Sequence, residues 1–110
     1  MMRNRGLYRI VLVTCASVAE ARKIARLVIG KQLAACANIL PNVASIYRWK
    51  GKIERAREVL MILKTSAARL RELEREVEKQ HSYDVPEFIV LPILVGSKRY
   101  LEWIGENTQP

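Results

Sequence analysis

The feature that most constrains the fold is a long hairpin predicted over residues 36–65. Lys50 and Gly51 supply its turn, because glycine readily takes the positive φ that a tight hairpin requires. Polar and apolar residues alternate along the outgoing arm, which indicates a half-buried strand. The apolar residues of one parity there are Ile39, Val43, Tyr47 and Trp49. The returning arm carries a continuous apolar run at residues 59–63, which is typical of a strand buried on both faces.

The length of this hairpin predicts that its tip projects beyond the body of the domain or that the hairpin bends. An arm of about fifteen residues spans about 50 Å, whereas a compact chain of this size is about 35 Å across. Pro41 has no N–H group, so the outgoing arm is expected to bend or bulge there and to lie at a sheet edge. A projecting apolar ribbon needs cover, and a second copy of the chain supplies it most simply. The residues predicted to lie at this interface between copies are Tyr47, Trp49 and Met61.

The remaining segments complete a β-α-β-β-α-β order with one appended helix. Residues 8–14 and 88–91 read as strands, and Pro92 either interrupts the second of them or marks it as an edge. Ser17 and Glu20 form a capping box that starts the first helix. Thr65 or Ser66 is expected to cap the second helix, whose apolar stripe is Leu70, Leu73 and Val77, and Ser97 the last one. We therefore predict an α+β, ferredoxin-like fold in which helices cover one sheet face and self-association covers the other.

Composition limits the class of protein further. A chain of 110 residues, half of them apolar, predicts one domain over residues 1–110. The net charge of +8 alone is a weak indication of an anionic partner. The first residues faintly imitate a signal peptide, but Arg9 interrupts the apolar segment, and no segment approaches the length of a membrane helix. With two cysteines, we expect a cytoplasmic protein with reduced thiols and no membrane partner.

Six short motifs along the chain resemble those of the CutA family, often called divalent-ion tolerance proteins. They are LVTC at residues 12–15, LAACANI at 33–39, SIYRWKGK at 45–52, LKT at 63–65, YDVPE at 83–87 and YLEW at 100–103. The resemblance implies a homotrimer in which long hairpins wrap neighbouring subunits, and a link to copper or other divalent metals. It also implies similarity in shape to the PII signalling proteins, trimers that bind nucleotides between subunits. The residue after His81 departs from the family pattern, because this chain has Ser82 where the family usually has proline.

The resemblance implies Cys36, His81 and Glu87 as metal contacts. Imidazole and thiolate are good ligands for Cu²⁺ and Zn²⁺, and a carboxylate can serve as a third donor. In a βαββαβ chain, however, Cys36 opens a strand at one end of the sheet while His81 closes a helix at the opposite end. A site that uses all three residues must therefore be shared between subunits or omit Cys36. His81 could instead simply complement the helix dipole, and both cysteines could be small core residues.

Three functions remain open at this point. The first is a non-catalytic trimer that binds Cu²⁺ or a related divalent ion, with no tightly bound cofactor expected. The second is a PII-like regulatory trimer that binds an anionic small molecule or nucleotide through Arg48, Lys50 and Lys64. The third, RNA binding, is disfavoured because the central strands lack aromatic residues, and we expect no nucleic-acid partner. An enzyme is the least supported class, since the chain has one histidine and no nucleophile motif.

Overall fold

The computed structural model describes residues 2–3 and 7–110 and has two sheets and three α-helices within these ranges. The strands are β1 (Met2–Arg3), β2 (Tyr8–Cys15), β3 (Cys36–Trp49), β4 (Lys52–Ser66), β5 (Ile89–Pro92) and β6 (Val95–Gly96). The helices are α1 (Val18–Gly30), α2 (Leu70–Gln80) and α3 (Lys98–Glu106). Residues 1 and 4–6, part of the segment that imitates a signal peptide, lie outside the described ranges.

The main sheet has the order β3-β4-β2-β5 and is antiparallel throughout. With α1 between β2 and β3 and α2 between β4 and β5, this is the predicted ferredoxin-like arrangement. Pro92 lies on the edge strand β5, as predicted. The small sheet that pairs β1 with β6 was not predicted, because two-residue strands carry no detectable periodicity.

One face of the main sheet, here called the helix side, packs against α1 and α2. Val11, Val13, Met61 and Leu63 of the sheet meet Ile24, Val28, Leu73 and Val77 of the helices, all of them fully buried. Met61 was predicted to lie between subunits, and this prediction is wrong. The run at residues 59–63 alternates between the two faces, so Met61 points into the core of its own chain and has no surface to offer a partner.

The opposite face of the sheet, here called the open face, is apolar and only partly covered. At one end α3 packs over it, with Leu101 and Ile104 against Tyr8. Further along, Leu12, Leu60 and Ile62 are half-buried, while Leu40, Ile89 and Leu91 are exposed. Contiguous apolar surface of this kind is typical of an interface between proteins.

The hairpin forms as predicted and projects beyond the sheet. Lys50 and Gly51 both have positive φ, 50° and 79°, as a tight hairpin turn of the primed type requires. β2 ends at Cys15, which pairs with Val59. The part of the hairpin at residues 43–58 therefore has no neighbouring strand in the sheet. The chain is accordingly elongated, 44 × 25 × 22 Å.

The predicted irregularity at Pro41 is a β-bulge, and it alters which residues share a face. The pairing shifts between Leu40 and Val43, so that one extra residue lies on β3. As a result, Ile39 pairs with Met61 on the helix side, whereas Val43 pairs with Glu58 on the open face. The prediction that Ile39 shares a face with Val43, Tyr47 and Trp49 is therefore wrong.

The helix caps follow the predictions at two of three positions. Ser17 and Ser97 accept hydrogen bonds from the backbone N–H groups of Glu20 and Tyr100. α2 instead begins at Leu70 after a 3₁₀ turn over Ala67–Arg69, and neither predicted capping residue serves its N-terminus. The Thr65 hydroxyl donates to the carbonyl of Leu33 at 2.6 Å, because this side chain is fully buried beneath the α1–β3 connection. Across residues 7–110, no helix is long and apolar enough to cross a membrane.

Candidate functional site

The loop at residues 82–87 joins α2 to β5, and His81 anchors its first half. The backbone N–H of Tyr83 donates to Nδ1 of His81 at 3.0 Å. This bond leaves the ring proton on Nε2, which donates to the carbonyl of Thr14 at 2.7 Å. Both ring nitrogens of His81 are therefore engaged by backbone groups, which fixes the tautomer and ties the loop to the end of β2.

Glu20 provides a second anchor for the same loop. One carboxylate oxygen accepts from the backbone N–H of Ala16 at 3.3 Å, as part of the capping of α1, and the other accepts from the N–H of Ser82 at 3.0 Å. Partial burial alone would raise the pKa of Glu20. The hydrogen bonds from Ser82 and Ala16 and the nearby His81 ring outweigh burial, so the pKa lies below its ordinary value. Glu20 thus acts as an ionised clamp on the loop.

Cys15 completes a group of three metal-ligand types beside this loop. A ligand atom from each of Cys15, Glu20 and His81 lies within 4.8 Å of the other two. Burial, and then the charges of Glu20 and Glu58, raise the pKa of the Cys15 thiol to about 12, so it stays protonated at neutral pH. Because both nitrogens of His81 and both oxygens of Glu20 are also occupied, this group does not fit a resident metal. Within it, Glu20 and His81 bind the backbone of the loop.

A cleft of about 860 Å³ opens between the loop and the projecting hairpin. Its polar and aromatic lining consists of Thr14, Ser45, Tyr47, Trp49, Glu58, Ser82, Tyr83, Asp84 and Glu87, and its other lining residues are Ala44, Ile46, Val85 and Pro86. It contains three carboxylates, and no lysine, arginine or histidine lines it among the described residues. In a chain with a net charge of +8, this acidic cleft is a local reversal of charge.

Glu58 and Glu87 are the two carboxylates whose charges determine the electrostatics of the acidic cleft. Glu58 is buried and its carboxylate accepts a hydrogen bond of 2.8 Å from the Tyr83 hydroxyl. Burial and then the hydrogen bond and charge of Glu58 raise the pKa of Tyr83 above its ordinary value, so Tyr83 remains a donor. Partial burial and then the charge of Glu58 raise the pKa of Glu87 as well. Within residues 7–110, Glu87 has no hydrogen bond or ion pair, so a cation would relieve the repulsion.

The structure separates the three metal ligands implied by the resemblance. Cys36 pairs with Lys64 near one end of the open face, and Lys64 in turn pairs with Ile10. His81 binds Thr14, four residues further along β2, which corresponds to about 13 Å. As expected from topology, Cys36 cannot join His81 and Glu87 within one chain. Cys36 and Cys15 are both free thiols.

The candidate anion contacts are also separated. Arg48 and Lys50 lie at the tip of the hairpin, where Arg48 donates to the carbonyl of Gly51 at 3.3 Å. Lys64 lies near the opposite end of β4, and its ammonium contacts the hydroxyl of Tyr100 at 3.2 Å. These residues form no common anion site within a single chain. Tyr47 and Trp49 are 43% and 42% exposed, and their place at an interface between copies stays a prediction.

Sequence reasoning missed Glu58, Tyr83, Glu20 and Cys15 as parts of the site. Only one weak signal could have found Glu58, a charged residue directly before the apolar run at residues 59–63. The meeting of Glu58 with Tyr83 depends on where β2 ends and how the loop crosses it, which no local pattern encodes.

Comparison with known proteins places the chain in one family. The family model of the "CutA1 divalent ion tolerance protein" matches residues 9–107. The "Divalent-cation tolerance protein CutA" of Thermus thermophilus is 42% identical over 99 residues, covering 90% of this chain and 96% of that protein. Human "Protein CutA" is 43% identical over 94% of this chain, but the chain spans only 58% of the human protein's length.

Solved structures agree with this assignment. The divalent cation tolerance protein from Thermus thermophilus superposes with a TM-score of 0.92 at 41% identity, covering 94% of this chain and all of that one. CutA1 from Oryza sativa gives a TM-score of 0.91 at 40% identity, with 94% of each chain covered. Since the family model matches nearly the whole chain and relatives exceed 40% identity, the chain belongs to the CutA1 divalent ion tolerance family.

Proposed function

We propose that this chain forms a homotrimer that binds a divalent cation, Cu²⁺ or a related ion, in the acidic cleft without catalysing a reaction. The observation that carries the proposal is the pair of carboxylates of Glu58 and Glu87. They lie close enough for the charge of Glu58 to raise the pKa of Glu87, and no basic side chain of the described residues lines the cleft with them. A divalent cation would offset this repulsion and would bind oxygen donors, of which the Glu58 carboxylate is held by the Tyr83 hydroxyl.

The donor set suggests how strongly such an ion is held. Carboxylate oxygens suit a range of divalent ions, and among first-row metals Cu²⁺ generally binds a given site most tightly. Two carboxylates without imidazole or thiolate indicate weak, exchangeable binding rather than a permanent metal centre. That is the behaviour expected of a tolerance protein that responds to excess cation, and it agrees with the divalent-cation tolerance function in the names of the relatives.

The proposed trimer rests on the uncovered apolar surface. The open face exposes Leu40, Ile89 and Leu91, and the hairpin exposes Ile46 and Ile53. Contiguous apolar surfaces are normally covered in solution, and closed homo-oligomers are the commonest means. A cytoplasmic location is part of the same proposal, because both cysteines are free thiols and reduced thiols persist in reducing compartments.

The second candidate, a PII-like trimer that binds an anion or nucleotide, has less support. The cleft beside the hairpin is acidic, and Lys64 is far from Arg48 and Lys50 within one chain. An anion site would need basic residues from more than one subunit. A catalytic role has no support in the cleft either, because the only histidine of the chain, His81, has both nitrogens engaged by backbone groups.

Calorimetric titration of CuCl₂ tests the proposed site. The double variant Glu58→Gln/Glu87→Gln should bind Cu²⁺ at least about tenfold more weakly than the wild type, because both charges are lost while side-chain shape is kept. Glu74→Gln/Glu78→Gln, which removes two charges on the exposed surface of α2, is the matched control and should bind like the wild type. Equal binding by the double variant and the wild type would exclude the acidic cleft as the site.

A further inference from the structure

The hairpin beyond the end of β2 presents two chemically different faces. This projecting ribbon consists of residues 43–49 and 52–58, which pair from Val43 with Glu58 to Trp49 with Lys52. Directly paired residues of an antiparallel ribbon point to the same side, and successive residues alternate between sides. The register therefore assigns each side chain to one of two faces.

The first face, here called the arginine face, carries only apolar and basic side chains. Its members are Ala44, Ile46, Arg48, Ile53, Arg55 and Arg57. Ile46 and Ile53 are 72% and 71% exposed, the most exposed large apolar side chains of the described residues. Neither Arg55 nor Arg57 has an ion pair within residues 7–110. Three arginines around two exposed isoleucines make a surface suited to an acidic partner with apolar contacts.

The second face carries the aromatic residues and the acids of the ribbon. Tyr47 pairs with Glu54, Val43 pairs with Glu58, and Trp49 pairs with Lys52. This face contributes Ser45, Tyr47, Trp49 and Glu58 to the acidic cleft, whose lining also includes Ala44 and Ile46 of the arginine face. One surface of the chain is therefore basic and apolar, and another is acidic and aromatic.

Within one chain, the arginines of the ribbon cannot pair with the ribbon's own carboxylate in the acidic cleft. Arg55 and Arg57 alternate with Glu58 along the same strand, so they point to the opposite side of the ribbon from its carboxylate. No basic residue lines the cleft among the residues that the structure describes. A neighbouring copy can supply both a positive group for the cleft and a negative group for the arginine face.

We propose that the arginine face of one copy docks into the acidic cleft of the next, with Arg55 and Arg57 facing Glu87 and Glu58 of the neighbouring subunit. The two docking surfaces differ, so the contact is head-to-tail and closes as a ring when the rotation between copies allows it. Guanidinium groups suit this role because they form paired hydrogen bonds with carboxylates. The exposed Ile53 would lie against the aromatic wall of the same cleft.

This inference rests on the proposed trimer and adds regulation to the proposed cation site. If a neighbour's arginines neutralise Glu58 and Glu87, a divalent cation must compete with them for the same carboxylates. Cation binding and ribbon docking then oppose each other, as linkage requires when two ligands share one site. A rise in divalent cation would loosen the hold of one subunit's hairpin on the next.

A charge exchange tests the docking, measured by light scattering over a dilution series. Arg55→Glu/Arg57→Glu should raise the concentration at which the oligomer dissociates by about tenfold or more, since like charges would meet in the cleft. Adding Glu87→Arg to that variant should recover part of the loss. Arg22→Glu/Arg26→Glu on the exposed surface of α1 makes the same change in net charge and should leave assembly unchanged. Circular dichroism checks that the dissociated variants remain folded.

The outcomes separate this inference from the proposed function. If the arginine variant assembles like the wild type, or if Glu87→Arg restores nothing, the docking is overturned while the trimer and its cation site stand. A wild-type chain that is monomeric at all concentrations overturns both. A second measurement addresses competition: Arg55→Ala/Arg57→Ala should bind CuCl₂ about tenfold more tightly than the wild type. Unchanged affinity in this variant would contradict the shared use of the carboxylates.

Discussion

The imidazole of His81 donates from Nε2 to the backbone carbonyl of Thr14 at 2.7 Å, which ties the end of α2 to the end of β2. The same ring accepts the N–H of Tyr83 through Nδ1, so a single side chain fixes the path of the loop at residues 82–87. That path brings Tyr83 to Glu58 and forms one wall of the acidic cleft. His81 thus shapes the proposed cation site from outside it.

Replacing His81 tests this positioning role. His81→Ala should lower the free energy of unfolding by about 1–3 kcal/mol, because two backbone hydrogen bonds to the ring are lost. The amide of Tyr83 should exchange with solvent markedly faster, measured by hydrogen–deuterium exchange. Lys79→Ala, at an exposed position of α2, is the control and should alter neither quantity. Unchanged exchange at Tyr83 in the His81 variant would contradict the role assigned to the ring.

The clamp made by Glu20 predicts a dependence of stability on pH. Its pKa in the folded chain lies below the ordinary 4.5, so the group binds fewer protons folded than unfolded. Its contribution to stability is therefore present above pH 4.5 and is lost as pH falls through the lowered pKa. Glu20→Gln should reduce this part of the acid dependence in denaturation curves measured between pH 2 and 7. Identical acid dependence in the variant and the wild type would rule out the clamp.

The burial of Cys15 predicts a protected thiol. A pKa of about 12 in place of 9.0 lowers the thiolate fraction at pH 8 roughly a thousandfold. In a Cys36→Ser variant, where Cys15 is the only cysteine, alkylation by iodoacetamide should be at least about a hundredfold slower in the folded than in the denatured protein. Mass spectrometry measures both rates. Rapid labelling of the folded protein would show that Cys15 is accessible and that the core beside the loop is open.

If the open face is an interface between copies, a charged residue placed on it should disrupt assembly. Ile62 is half-buried there and pairs with Leu12, whereas Met61 beside it points into the core. Ile62→Lys should dissociate the assembly toward folded 12.6 kDa subunits, because it places a charge on the apolar surface that the copies share. Light scattering gives the mass and circular dichroism the fold. A variant that keeps the wild-type mass would show that the open face is not the interface.

Much of the fold could be predicted because its signals are local. Short stretches of neighbouring residues predict the caps at Ser17 and Ser97, the turn at Lys50 and Gly51, and the excess length of the hairpin. The errors arose where an irregularity at one position changed the sheet face to which later residues point. The bulge after Leu40 moved Val43 to the opposite face from Ile39, and an alternation that continues through a bulge cannot reveal this.

The site was harder to predict because it is assembled from distant parts of the chain. The resemblance to the family implied His81 and Glu87 as metal contacts, and the structure puts both on or beside the loop at residues 82–87. Glu58 was missed because its partners, Tyr83 and Glu87, lie more than twenty residues away in sequence. Met61 was misplaced because a continuous apolar run does not show which of its residues face the core.

The most direct test of the account locates the bound ion by anomalous diffraction. Crystals grown with CuCl₂ and measured at the copper edge should show a peak about 2.0–2.5 Å from carboxylate oxygens of Glu58 and Glu87 in the acidic cleft. The Cys15–Glu20–His81 group should show none. A peak at that group or at Cys36, with nothing between Glu58 and Glu87, would contradict the proposed site.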